Sequence, residues 1–470
     1  MADLRADRYI ESSERGLDLY RGVAELPIVS PHGHIDVRLL ADPSARLDAP
    51  GRLFVTADHY VVRMLYSQGV PLERAGLRTR AGGEAGVDDR AVWQLLADNV
   101  HLFALTPTGL WLRETLATVF GIEEQLEPAS AETIYARVEE QLSTPAFAPR
   151  ALLDRFRVES LSTTDAAGSS LAEHRALADS KPGFRIRPTF RPDAVVALDA
   201  AGWRDSLSEL EAAADLEVGD YATFVEALAE RRSAFKALGA TATDHATTSA
   251  DTTRLTDREA SGLFAAALAG TVSHADARRF DAHMLNEFAR MSKDDGLVMQ
   301  LHLGSLRDHD GPLAERFGRD IGGDIPVTTD WTRGLRPLLE ASGNDPGFAV
   351  ILFTLDESTY SRELAPLAGH YPAVLLGCPW WFHDSPAGID RFLDRVTETA
   401  GLYNLAGFVD DARALTALPA RHDLWRRRTC GWLARKVEAG FLGEEEAHRL
   451  ARELACGLVR RAYRLDAQRG

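Results

Sequence analysis

Thirty residues into the chain, Ser30-Pro-His-Gly-His-Ile-Asp36 follows the apolar run Leu26-Pro-Ile-Val29. In an extended segment, residues two apart share a face, so His32 and His34 are spaced to grip one divalent cation. The pair alone is a weak signal, because fourteen histidines in 470 residues give roughly 0.4 such pairs by chance. Other segments strengthen it. Gln300-Leu-His-Leu-Gly-Ser-Leu-Arg307 offers His302 and Arg307, Asp410-Asp411-Ala-Arg413 offers a carboxylate and an arginine, and Phe190-Arg-Pro-Asp193 offers Arg191. His32, His34, His302 and Asp411 form a nitrogen and oxygen set for a mononuclear metal, with a position left for water or substrate. His302 serves equally well as a hydrogen-bonding neighbour of that metal, and Asp411 as an ion-pair partner of Arg413, two residues on. Guanidinium forks bind carboxylates through paired hydrogen bonds, so Arg191, Arg307 and Arg413 together point to an anionic substrate. Asp244-His245 could orient a neighbour, contact hydroxyls or cap a helix. Trp380-Trp381 reads as core or pocket wall.

The elements that must position these residues are short apolar or β-branched runs ending in polar residues. They cover residues 28–35, 158–165, 185–193, 237–245, 298–304, 348–355, 373–381 and 404–413. Amphipathic stretches such as 279–292 and 389–400 separate most of them. Eight alternations of strand and helix predict a parallel (β/α)8 barrel of TIM type, whose reactive groups gather at the C-terminal ends of its strands. The first interval is several times longer than a crossover helix needs. Residues 36–157 are therefore read as an inserted, mainly α-helical subdomain over the barrel mouth, and residues 1–35 and 158–470 as the distorted barrel. Within the insertion, helical patterns span 59–68, 89–103, 112–120 and 131–142, with turn signals at Ala81-Gly-Gly83 and Thr106-Pro-Thr-Gly109. The threonine-rich stretch 241–256 reads as a loop after the fourth strand.

Composition removes whole classes of function. A formal net charge of −17 argues against a nucleic-acid partner, yet a few buried arginines can still hold a small anion, because bulk charge is screened beyond about 8 Å. Met1-Ala-Asp-Leu-Arg-Ala-Asp-Arg8 lacks an apolar signal core and no apolar run is long enough to span a bilayer, so no membrane association and a cytoplasmic location are expected. Cys378, Cys430 and Cys456 are odd in number and widely spaced, which suits reduced structural thiols. None of the four lysines (Lys181, Lys236, Lys293, Lys436) falls at a strand end. That removes a bridging carbamylated lysine and favours one metal over two.

A longer set of segments resembles one family. Besides those above, Asp58-His-Tyr60 with Arg63, Thr243-Asp-His245, Trp380-Trp-Phe382 with Asp384, and Arg421-His422 occur in the order found in uronate (glucuronate) isomerases, an outlying branch of the amidohydrolase superfamily. The resemblance runs through nearly the whole chain. It implies interconversion of D-glucuronate and D-fructuronate, and of D-galacturonate and D-tagaturonate, through a cis-enediol. It places one divalent metal, zinc, on His32, His34 and Asp411, with His302 beside it as ligand or hydrogen-bond partner. Tyr60, from the inserted segment, would move the proton between C2 and C1 together with Asp411. His59, Arg191, Asp244, Arg307 and Arg413 would hold the sugar's hydroxyls and carboxylate, with Trp381 in the substrate wall and a homo-oligomeric assembly. Two segments depart from the family: Gly33 stands where a larger residue is common and is expected to point away from the barrel axis, and Trp111-Leu-Arg-Glu-Thr-Leu116 replaces a Trp-Thr-His-Leu type of segment. The alternatives on the same barrel are a mononuclear-metal hydrolase, such as a lactonase or deaminase, and a silent sugar-acid binding protein.

Overall fold

Val298–Leu303 and Val350–Phe353 are buried at every residue, the pattern of strands covered on both faces. In the computed structural model, which describes residues 5–11, 14–82, 86–180, 182–378 and 383–468, these strands pair in parallel with their neighbours. The strands in chain order are β1 (Ile28–Ser30), β2 (Val158–Ser162), β3 (Asp165–Ala166), β4 (Arg185–Arg187), β5 (Phe190–Arg191), β6 (Ala242–Thr247), β7 (Val298–Leu303), β8 (Ser305–Leu306), β9 (Ile325–Pro326), β10 (Val350–Phe353) and β11 (Val374–Leu376). One sheet runs β1-β2-β4 and another β11-β10-β7-β6-β5-β3. They form one wall, since β2 continues into β3 and β4 into β5, and the N–H groups of Thr163 and Asp165 donate to Arg187 and Thr189 at 3.0 Å. Helices such as His274–Asp295 cover the wall, burying Phe280, Met284, Leu285 and Phe288 along one stripe. The chain folds as an α/β barrel.

The structure corrects several expected boundaries. β1 stops at Ser30 because Pro31 has no N–H to give the ladder; His32 and His34 therefore lie in the following turn and not on the strand. The fourth strand begins at Ala242 rather than at 237, since the helix Tyr221–Ala237 runs to that residue and the chain then turns at Gly239, φ 90°. It extends to Thr247, into the stretch expected to be loop. Residues 404–413 form no strand among the described residues. They meet β11 at one bridge, Leu376 with Leu405, and through Ala406 N–H donating to Leu376 O at 2.8 Å. Val409 N–H donates to the Cys378 thiol sulfur at 3.1 Å, and His34 N–H to Ala412 O at 2.8 Å, closing the ring. The reason is backbone conformation: Gly407 at φ 82° and Asp411 at φ 48° are left-handed and cannot continue a ladder.

Between β1 and β2 the described residues hold helices and turns. The longer helices are His59–Ser67, Asp89–Asp98, Pro107–Thr118 and Ala131–Leu142, and Val61, Leu65, Trp93, Phe120, Tyr135 and Phe147 pack in an apolar cluster of their own. The 89–103 pattern breaks at Asn99 and resumes as a short 3₁₀ turn, Val100–Phe103. Thr106-Pro-Thr-Gly109, expected as a turn, starts a helix instead: Thr106 Oγ1 accepts from Gly109 N–H at 3.1 Å and Pro107 sits where its missing N–H costs nothing.

A second excursion runs between the antiparallel strands β8 and β9. It carries the helix Gly311–Phe317 and packs on the segment following β1, where Arg80 N–H donates to Arg316 O at 2.8 Å and Arg316 pairs with Glu73. The three cysteines are buried and free. Among the described residues, no helix is long and apolar enough to cross a membrane.

Candidate active site

The turn after β1 brings both histidines to the last barrel segment. His34 Nε2 stands 3.1 Å from Asp411 Oδ1, and His32 Nε2 3.5 Å. The two rings are 5.3 Å apart and nearly perpendicular, so they approach the carboxylate from different directions. Gly33 faces residues 410–412: a Cβ there would lie 3.1 Å from Ala412 O, so the glycine permits the close approach that seats Asp411. Asp411 does not pair with Arg413; the guanidinium instead meets Asp320, at 3.5 Å.

His302, on β7, stacks against His32 at 4.8 Å and lies flat on Phe353 at 4.3 Å. Its Nδ1 faces Asp244 Oδ1 at 2.7 Å, and an ionised carboxylate only accepts, so Nδ1 carries the proton. Asp244 lies within β6 and caps no helix. It also pairs with Arg191 at 3.3 Å, while Arg191 Nε donates to Asp193 at 2.8 Å. Burial would raise the Asp244 carboxyl, but Arg191 and the imidazoles of His302 and His32 hold it well below the usual carboxylate range.

Among the described residues, two overlapping groups present donor atoms within 4.8 Å of one another: His32, His34 and Asp411, and His32, Asp244 and His302. The first fits a divalent cation. Burial lowers the His32 pKa to about 4, so at neutral pH the imidazole is unprotonated, as ligation requires. Asp411 Oδ1 is buried and makes no hydrogen bond of good geometry, which leaves it to the two imidazoles beside it. In the second group, Asp244 is already committed to Arg191 and His302.

One cavity of about 800 Å³ is lined by His32, His34, Arg191, Asp244, His302, Arg307, Asp411 and Arg413. His59 and Tyr60 open the helix His59–Ser67, whose N-cap Asp58 accepts from Tyr60 N–H at 2.8 Å. Neither lines that cavity. Their rings are 4.2 Å apart, and Tyr60 meets the Trp111 indole edge-on at 5.7 Å. Burial, reinforced by Asp411, pushes the Tyr60 phenol well above its ordinary value, and burial with Arg413 lowers His59 to about 3. Trp380 and Trp381 lie outside the described residues. Lys236, Lys293 and Lys436 sit on helices, and Lys181 is also outside the described residues.

The carboxylates Asp320 and Asp324, on the β8–β9 excursion, were not anticipated. Asp324 pairs with Arg307 and Asp320 with Arg413, so, with Arg191 held by Asp193 and Asp244, each of the three site arginines already meets a carboxylate. The signal available was the interval between the fifth and sixth runs, 304–348, too long for a crossover and rich in Asp and Gly.

Fold and site together define a class: a parallel α/β-barrel enzyme with a histidine and carboxylate centre ringed by arginines. The family model for glucuronate isomerase matches residues 1–459. A uronate isomerase of Nostoc punctiforme is 52% identical over 95% of this chain and 94% of its own length. The crystal structure of a glucuronate isomerase from Caulobacter crescentus superposes with a TM-score of 0.96 at 44% identity, covering 99% of this chain and 98% of that one. A uronate isomerase from Thermotoga maritima gives 0.90 at 28%, covering 97% and 99%. The chain belongs to the glucuronate isomerase family.

Proposed function

We propose that the protein is an aldose–ketose isomerase that interconverts D-glucuronate and D-fructuronate, and D-galacturonate and D-tagaturonate. The observation that carries the reading is the gathering of Arg191, Arg307 and Arg413 around the His32, His34 and Asp411 centre in one cavity. The family membership supports it, and the relatives' names lend nothing to a hydrolase.

Arg191 and Arg307 hold the uronate carboxylate; His59 and Asp244 hold hydroxyls, and Arg413 lies at the reacting end. Asp411 takes the proton from C2, the electron pair moves toward C1, and the C1 oxygen receives a proton from the Tyr60 phenol, giving the cis-enediol. Delivery of the proton to C1, with the O2 proton returned to Tyr60, yields the ketose. The Arg413 guanidinium offsets the negative charge that develops on oxygen. A zinc ion held by His32, His34 and Asp411, with His302 as ligand or neighbour, would add positive charge at the same place. Residues 36–157 act as an inserted subdomain that delivers Tyr60, a division supported by its own apolar cluster. A cytoplasmic homo-oligomer acting on a small sugar acid completes the reading, on family resemblance alone.

Incubation with D-glucuronate in D₂O, followed by proton NMR, is expected to give a ketose carrying deuterium at C1. Lactone hydrolysis without ketose, or an unchanged spectrum, overturns the proposal. Metal analysis is expected to find one zinc per chain in the wild type and none in His34→Ala; metal-free, fully active wild type removes the ion from the scheme.

A further inference from the structure

Arg421, in the first turn of the helix Leu418–Glu438, is buried and does not line the cavity. Its Nε and Nη2 donate to the same oxygen of Asp384, at 2.9 and 2.7 Å, and neither side chain is more than 3% exposed. The other oxygen, Asp384 Oδ1, is buried and has no hydrogen-bonding partner among the described residues. The guanidinium carbon lies 4.4 Å from the centre of the Trp111 ring, the indole that Tyr60 meets edge-on. Three distant parts of the chain thus converge on the indole that packs against one phenol.

As a device for stability this arrangement is poor. A buried ion pair with an unsatisfied oxygen is replaced by apolar side chains of similar volume at no loss, and often with gain. Its charge does act on Tyr60: Arg421 favours the ionised phenol, against burial and against Asp411. We propose that Arg421, braced by Asp384 and Trp111, is a positioning residue for Tyr60, stabilising the phenolate that forms when the phenol hands its proton to the sugar oxygen. The inference rests on the role of Tyr60 proposed above. Asp384 sets the strength of the effect by partly neutralising the guanidinium.

The test replaces the pair by apolar volume. The double variant Arg421→Met/Asp384→Leu is expected to melt like the wild type, yet to lose at least tenfold in kcat with KM changed less than threefold. Arg421→Lys, which keeps the charge, is expected to recover most of the loss that Arg421→Met suffers. In protein labelled with ζ-¹³C tyrosine, the Tyr60 resonance, identified by its absence from Tyr60→Phe, is expected to titrate at lower pH in Asp384→Asn than in the wild type. Wild-type kcat in a folded double variant, or a Tyr60 resonance indifferent to Asp384→Asn, overturns the inference. Wild-type turnover by Tyr60→Phe would instead remove the proton-carrying role of Tyr60, a failure that the resonance reports separately from the Arg421 coupling.

Discussion

Asp411 holds a backbone conformation that costs a non-glycine residue free energy, and it does so beside the imidazoles of His32 and His34. Strain kept at such a point fixes where the carboxylate aims. Asp411→Asn and Arg413→Ala are accordingly expected to cut turnover by orders of magnitude while thermal melts and circular dichroism stay near wild type. A variant of either that works at the normal rate would take that residue out of the chemistry. Residue type and spacing made His32, His34, His302, Asp411 and the arginines legible in the sequence, because few other roles gather those groups at successive strand ends. Asp320 and Asp324 were not legible: they reach the arginines from an irregular loop, where no periodicity says which way a side chain faces.

Among the elements, the helices and most strands follow from apolar periodicity, whereas their ends were set by proline, glycine and caps that periodicity does not weigh. The last barrel segment departs from the expected strand for a related reason: Asn404-Leu-Ala-Gly-Phe-Val409 has the composition of a strand, but the left-handed residues that bend it are a tertiary matter. The β8–β9 excursion offers a prediction at this scale. Gly322 has φ 86°, and a Cβ there would stand 2.5 Å from Arg63 Cβ and 2.7 Å from His59 O. Gly322→Ala must therefore strain its own backbone, by about 1 kcal/mol, and displace the helix that carries His59 and Tyr60. Lower stability in urea and reduced kcat/KM are expected together; unchanged values for both would show that the two segments move independently.

Across the whole molecule, a strongly acidic chain concentrates its site arginines in one cavity, and the same cavity wall holds a carboxyl that resists ionising. Asp281, on the helix His274–Asp295, is pushed up to about 7 by burial, with Asp193 and Asp199 adding to the effect and Arg278 at 3.1 Å opposing it. The folded protein keeps this proton while the unfolded chain releases it near pH 4, so between about 4 and 7 rising pH favours unfolding. Below that window both states are protonated, and above it both are ionised. Relative to the wild type, Asp281→Asn should gain stability between pH 4.5 and 7.5, on the order of 2 kcal/mol, read from urea midpoints. An offset that is the same at both pH values would sink the assignment. The barrel's closing seam has a consequence for motion. Where β6, β7 and β10 share continuous ladders, residues 404–412 are tied to the neighbouring barrel segments, among the described residues, by one bridge, the Cys378 thiol and two flanking backbone bonds, with His422 holding the Asp410 carboxylate from the helix behind. Local opening starts where the fewest bonds must break. The amide protons of Ala406, Val409 and His34 are thus expected to exchange with solvent ahead of those in β6 and β7, and each opening would carry Asp411 away from its histidines without unfolding the rest of the ring.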